Sequence, residues 1–308
     1  MSAQPQPRRP VLLTGASGFV GGRLAALLHA RGDALLTLGR TPTHLTPAAH
    51  FPCDLADTPA LPRTLAALPD VHAVIHLAAL PDLAACHAQP ALARAVNTHA
   101  TEALAAFAAH RAVPFLFIST DQVFDGAKPQ GLYTEADAPR PLHEYGRSKL
   151  AGEHAALATN PSAAPRALVL RLALVYGPSP RGDRSCSERL LAALRAGTSS
   201  TLYTDEHRSP VAATDVAHAI SLALDQLVLG RPLPHILHLA GPHRLSRFEL
   251  GLAIARAANL PATGLHPAPQ PTNAIPPRPR DVSMSPALAS TILGWHPQAV
   301  SPATVVGT

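Results

Sequence analysis

The sequence predicts an α/β protein built on a doubly wound parallel sheet, with a smaller domain toward the C-terminus. Three observations carry this. Short continuous apolar runs recur at Val11–Thr14, Ala34–Leu38, Ala73–Leu77, Phe115–Ser119 and Ala167–Leu172, as in strands buried on both faces. Ala/Leu-rich stretches near 19–31, 58–68, 88–110 and 146–158 separate them with helical spacing. Beyond Gly177 the alternation loosens into shorter elements rich in Pro, Gly and Arg. Strand–helix–strand repetition requires right-handed crossovers, hence a parallel sheet covered by helices.

The 308 residues suggest two domains at roughly 150 residues each. Residues 1–177 make the first. Candidate helices near 214–228 and 246–259 bracket a strand at 235–239, and 211–240 is expected to return to the first domain. Residues 178–210 and 241–308 form the smaller, substrate-binding domain, with 261–286 a Pro-rich loop.

Composition narrows the function classes. With 47% hydrophobic and 15% charged residues, this is neither a disordered chain nor a coiled coil. The net charge of +5 is spread without a basic run, which argues against nucleic acid as a partner. Cys53, Cys86 and Cys186 are odd in number and far apart, so no disulfide framework is expected and a reducing compartment fits. Arg8-Arg9 before Val11-Leu12-Leu13 mimics an export signal, but Thr14, Gly15, Ser17, Gly18, Gly21, Gly22 and Arg23 interrupt the apolar stretch. The reading is a cytoplasmic protein without a membrane span. The 17 histidines invite a metal reading, which spacing rejects. His72 and His76 would lie ~13 Å apart on one strand, and His235 and His238 on opposite faces of another.

Gly15, Gly18 and Gly21 lie directly between the first strand and the first helix. A tight turn, close approach of a pyrophosphate and free helix N–H groups all require this loop chemistry. Together with the parallel-strand signals, it points to a Rossmann-type dinucleotide site in which Ser17, Phe19 and Val20 also take part. Arg40 ends the second strand, and no acidic residue occurs between Asp33 and Asp54. An acid there would hold the ribose hydroxyls of NAD, whereas Arg accommodates a 2′-phosphate. NADP(H) is therefore the preferred cofactor and NAD(H) the alternative, with an ordinary surface arginine as the competing reading of Arg40.

Tyr145 and Lys149 stand at i, i+4, on one helix face. A nearby ammonium lowers a phenol's pKa, so the pair can exchange a proton with a carbonyl or alcohol. Of the 25 basic residues only Lys128 and Lys149 are lysine, so a lysine at this position stands out. Ser119-Thr120-Asp121 ends the fifth strand, where open α/β sheets bind their ligands. Thr120 is expected to hold a substrate oxygen against Tyr145, with Ser119 on the nicotinamide side.

These motifs, in this order, resemble the extended short-chain dehydrogenase/reductase family. The segments Ile118–Gly126, Tyr133–Asp137 and Pro141 through Tyr145-Gly-Arg-Ser-Lys149 to Glu153 resemble its dTDP-4-dehydrorhamnose reductase branch more specifically. Weaker likeness continues at Arg171, Tyr176-Gly-Pro178, Arg208-Ser-Pro210, Asp215 and Gly294-Trp295. The resemblance implies that Thr120, Tyr145 and Lys149 are catalytic and that Asn97 serves a structural water relay. A helix-surface asparagine is the plain alternative for Asn97. It further implies cofactor contacts at Asp54-Leu55, for adenine, and at Leu77, Ala78 and Ala79, where small residues let the cofactor pass. Asp121 would touch the sugar ring, Leu174 would line the substrate site, and Arg208 would meet a phosphate unless it forms a surface ion pair.

Two departures bear on the substrate. Leu174 stands where the rhamnose reductases carry Trp, and Pro81-Asp82 through His87 replaces their acidic cluster. Sugar-nucleotide dehydratases carry Asp-Glu after the Thr, whereas Gln122 here cannot abstract a proton. The expected function is reduction of a nucleotide-linked 4-keto sugar, by an enzyme that the resemblance makes a homodimer. The alternatives are a non-catalytic NADP-binding subunit, like the regulatory β subunit of methionine adenosyltransferase, and an NAD-dependent epimerase.

Overall fold

The computed structural model describes residues 10–43, 49–160 and 166–307. The chain begins with β1 (Val11–Thr14), α1 (Phe19–Ala30), β2 (Leu35–Gly39), β3 (Ala49–Pro52), α2 (Leu61–Ala66) and β4 (Ala73–His76). Next come α3 (Leu83–Ala88), α4 (Pro90–Arg94) and α5 (Ala100–His110), the last two joined by a π-helical turn at Ala95–His99. β5 (Phe115–Thr120) leads to α6 (Glu144–Leu157), β6 (Ala167–Leu172) and β7 (Val175–Tyr176). Then follow α7 (Cys186–Arg195), β8 (Ser200–Tyr203), β9 (His207–Arg208), β10 (Val211–Ala212), α8 (Ala213–Val228) and β11 (Ile236–Leu239). The chain ends with β12 (Leu245–Ser246), α9 (Arg247–Ala257), β13 (Leu265–Ala268), α10 (Ala287–Leu293) and α11 (Pro302–Val305).

Seven parallel strands form the central sheet in the order β11-β6-β5-β4-β1-β2-β3. Every residue of β1, β4, β5 and β6 is buried, which explains their unbroken apolar character. Successive side chains serve opposite faces. Leu13 and Ile118 join Leu24 and Ile220 in one core, while Leu12 and Phe117 join Leu104 and Ala156 in the other. Strand order reverses between β1 and β4, so a crevice opens beyond their carboxyl ends. Within 211–240, α8 packs on α1 and β11 pairs with β6 at the sheet edge.

The smaller lobe has its own core of Leu190, Leu194, Leu250, Ile254 and Leu265. Ser185 with Glu188 and Ser246 with Glu249 form capping boxes that start α7 and α9. The C-terminal segment is tied to α8, because Trp295 donates to the Asp215 carbonyl at 3.0 Å and the Gln298 amide donates to its carboxylate at 2.7 Å.

Two expectations are corrected. Residues 261–286 are not loop throughout, since β13 pairs in parallel with β8. Pro267 is tolerated there because the sheet has only two strands, and Leu265 anchors the strand in the lobe core. The helix expected at 88–110 is split by Pro90 and by the π turn that carries Asn97. Among the described residues, no helix is long and apolar enough to cross a membrane.

Candidate active site

The glycine loop leaves β1 at Gly15, whose φ of +71° favours glycine. A Cβ at Gly15 would lie 2.7 Å from the Ala78 nitrogen, and one at Gly21 would lie 2.1 Å from the Gly15 carbonyl oxygen. Unlike α7 and α9, α1 begins at Gly18 with no side-chain cap. The first-turn N–H groups, from Phe19 onward, are thus left to an anion, and the helix dipole adds positive potential. Thr14, just before the loop, bonds His76 Nδ1 at 2.7 Å and accepts from the Ala78 amide at 3.2 Å. Leu77, Ala78 and Ala79 therefore flank the loop and are only half-buried. These features fit a dinucleotide pyrophosphate.

At the end of β2, the Ser17 and Thr41 hydroxyls meet at 2.9 Å beside Arg40, which is exposed and unpaired among the described residues. The Asp54 carboxylate accepts from the Ala56 amide at 3.0 Å and stays exposed. Leu55 turns its side chain into the core, so any ligand contact it makes comes through its backbone.

The second half of the site lies where β5 meets α6. Thr120 is buried at the last position of β5, near enough to Tyr145 to favour its ionised form. Tyr145 sits in the first turn of α6, which His143 caps by accepting from the Gly146 amide at 3.1 Å. The His143 and Tyr145 rings stack 6.2 Å apart. Lys149 is 1% exposed, donates to the Ile118 carbonyl at 2.6 Å and lies 3.9 Å over the Phe117 ring. Phe117 in turn stacks on His76, so contacts run continuously from Lys149 to Thr14 and the glycine loop.

This arrangement corrects the expected electrostatics of the pair. The Lys149 ammonium is turned onto β5, toward the Ile118 carbonyl and the Phe117 ring. Burial instead pushes Tyr145 up to about 12, against the lowering effects of Thr120 and Arg208. Burial also brings Lys149 down to about 7, partly offset by Glu153.

Asn97 is fully buried, which removes the helix-surface reading. Its amide accepts from the Leu80 N–H at 2.8 Å and donates to the Leu80 carbonyl and to Ser148 Oγ, so it clamps the segment after β4 to α6. Ser119 also departs from expectation. Its hydroxyl donates to Glu153 at 2.5 Å, into the protein rather than toward the nicotinamide side. Glu153 is shared with Arg171, whose guanidinium contacts it at 2.7–3.2 Å.

Arg208 is largely buried in an ion pair rather than exposed. It grips the fully buried Asp121 through Nε and Nη2, both at 2.6 Å. Both Asp121 oxygens are thereby engaged by the guanidinium. Leu174 is half-buried against the core of the smaller lobe. Sequence reasoning assigned no role to His143 or Glu153. Glu153, four residues after Lys149, was the one that helical spacing could have indicated.

Among curated proteins, the chain is 35% identical over 224 residues to the probable low-salt glycan biosynthesis reductase Agl14 of Haloferax volcanii, covering 71% of each. It is 32% identical to the methionine adenosyltransferase 2 subunit beta of Danio rerio, covering 90% of this chain and 83% of that protein. A hypothetical dTDP-4-dehydrorhamnose reductase from Sulfolobus tokodaii superposes with a TM-score of 0.76 at 29% identity, covering 93% of this chain and 95% of that one. MoeE5, solved with UDP-glucose and NAD, superposes with a TM-score of 0.77 at 27% identity over 94% of both. The loop and the β5–α6 corner thus lie in a frame shared with such proteins along nearly the whole chain. With the RmlD substrate binding domain model matching residues 9–304, the chain belongs to that family.

Proposed function

We propose that this protein is an NADPH-preferring reductase of a nucleotide-linked 4-keto sugar. The observation that carries the reading is that Thr120, ending β5, and Tyr145, in the first turn of α6, stand at the carboxyl edge of the sheet that also bears a glycine loop shaped for a pyrophosphate. The Agl14 likeness supports a reductase, and MoeE5 binding UDP-glucose and NAD supports a nucleotide sugar with a nicotinamide cofactor. Gly15, Ser17, Gly18, Phe19, Val20 and Gly21 hold the pyrophosphate, and Arg40 with Ser17 and Thr41 favours a 2′-phosphate.

Bound dihydronicotinamide supplies the hydride. Thr120 orients the substrate carbonyl, and Tyr145 donates the proton that its oxygen takes up. A phenol near pKa 12 remains protonated at neutral pH yet is more acidic than an alcohol, so transfer to the developing alkoxide is favourable. Lys149, near 7, is poised to exchange protons around neutrality. Asn97 keeps α6 in register with the segment after β4. Gln122 supplies no base for elimination, which favours reduction over dehydration.

Freshly generated 4-keto nucleotide sugars, assayed with NADPH, should consume it. The likeness to methionine adenosyltransferase subunit beta favours a second reading, a non-catalytic NADP-binding subunit. NADPH binding without turnover across the sugar panel would select it.

A further inference from the structure

Arg208 and Asp121 lie 87 positions apart, one on β9 of the smaller lobe and the other immediately after β5. Both are almost wholly removed from solvent, with side-chain exposures of 13% and 0%. The guanidinium fork meets the two carboxylate oxygens separately, the geometry that makes an Arg–carboxylate contact strong and directional. Asp121 also accepts from the Thr120 hydroxyl at 3.3 Å. With its oxygen toward Arg208, the Gln122 carboxamide lies 2.7 Å from Nη1 and 2.9 Å from His143 Nε2. The ion pair is thus linked through Gln122 to His143, whose ring stacks on Tyr145.

We infer that the Arg208–Asp121 pair is a positioning device through which the smaller lobe governs the proton on Tyr145. The inference rests on the reductase reading for its role in turnover, but the ionisation itself can be measured without substrate. Each partner acts on the phenol with opposite sign. The Asp121 carboxylate opposes formation of phenolate, and the Arg208 cation favours it. Cys86, on α3, also acts on Tyr145; burial pushes its thiol up to about 11, so it is neutral at working pH. His143 is held down to about 4 by burial and by Arg147, Arg208 and Arg278, and is neutral as well. Lys149, four residues along α6, turns its ammonium toward Ile118 and Phe117. Glu206 lies 3.8 Å from Arg208 Nη1 and leaves it a counter-charge when Asp121 is removed.

The test is a phenolate absorbance titration of the full-length protein, each variant referenced to the same variant carrying Tyr145→Phe. In the parent, Tyr145 should show no phenolate below about pH 11. Asp121→Asn removes the charge that opposes phenolate while the Arg208 cation stays, and should bring the Tyr145 signal below that pH. Adding Arg208→Gln to it removes the cation too and should return the signal above it. An Asp121→Asn protein with no such signal, or a double variant that keeps it, overturns the proposal. Arg208→Gln alone gives a second reading. Its unpaired, buried Asp121 should show protonated carboxyl absorption in the infrared at neutral pH, and absence of that band counts equally against the pair. Neither spectrum requires turnover, so a chain that reduces no sugar leaves this test standing.

Discussion

The glycine loop and the β5–α6 corner share the carboxyl edge of one sheet but are built in opposite ways. The loop works by leaving atoms out. Gly15 and Gly21 have no room for a Cβ, and α1 has no capping side chain, so backbone donors are left for a ligand. The corner works by filling space. Thr120, Asp121, Gln122, His143 and Lys149 are all buried and nearly every polar atom has a partner. A large anion is recognised by exposed, preorganised N–H groups, whereas a proton is controlled by desolvation and paired charge.

Four substitutions would break or sharpen that contrast. The largest effect is expected from Tyr145→Phe, which removes only the phenol oxygen. Turnover should fall roughly 10²–10⁴-fold, while NADPH affinity stays unchanged because the phosphates rest on the loop. Comparable losses in both quantities would show that the two regions are not separable.

Glu153→Gln probes the filled region from behind. Arg171, 2% exposed, would lose its counter-ion, and breaking a buried pair costs about 3–5 kcal/mol, readable in a urea melt. Glu153 also raises the pKa of Lys149, so removing it should move the limb near pH 7 in the turnover profile to lower pH. A melt that is unaltered would place this carboxylate outside the support of the corner.

A smaller change is expected at Arg40, beside the loop. NADPH should bind more tightly than NADH by roughly 1–3 kcal/mol for a charge-assisted contact, and Arg40→Ala should erase the difference. Equal affinities in the parent, measured by calorimetry, would sink the assignment.

Gly15→Ala tests the empty region directly. Its left-handed φ costs roughly 1–2 kcal/mol, and the new methyl meets the Ala78 backbone, so NADPH affinity should drop about tenfold. Gly32→Ala is the matched control, with a φ of +80° but no neighbour within 4 Å. It should carry backbone strain alone and leave NADPH affinity as it was.

The loop, the buried parallel strands and the Tyr145–Lys149 spacing were legible because their causes are local. A missing Cβ, an unbroken apolar run and a helical repeat each act within a few neighbouring residues, and the sequence displays them directly. Arg40 belongs with these, since it follows its strand without depending on a distant partner. What no local pattern could decide was how side chains are shared across the chain. Arg208 reads as a surface or phosphate-contacting arginine until the smaller lobe folds it onto Asp121. Ser119 reads as facing a cofactor until α6 brings Glu153 to within 2.5 Å of it. The Lys149 ammonium reads as a neighbour of the phenol until the Ile118 carbonyl and the Phe117 ring claim it. In each case the deciding group lies 31–87 positions away, and burial makes the choice of partner energetically binding, because an unpaired charge or hydroxyl in that interior has no water to turn to.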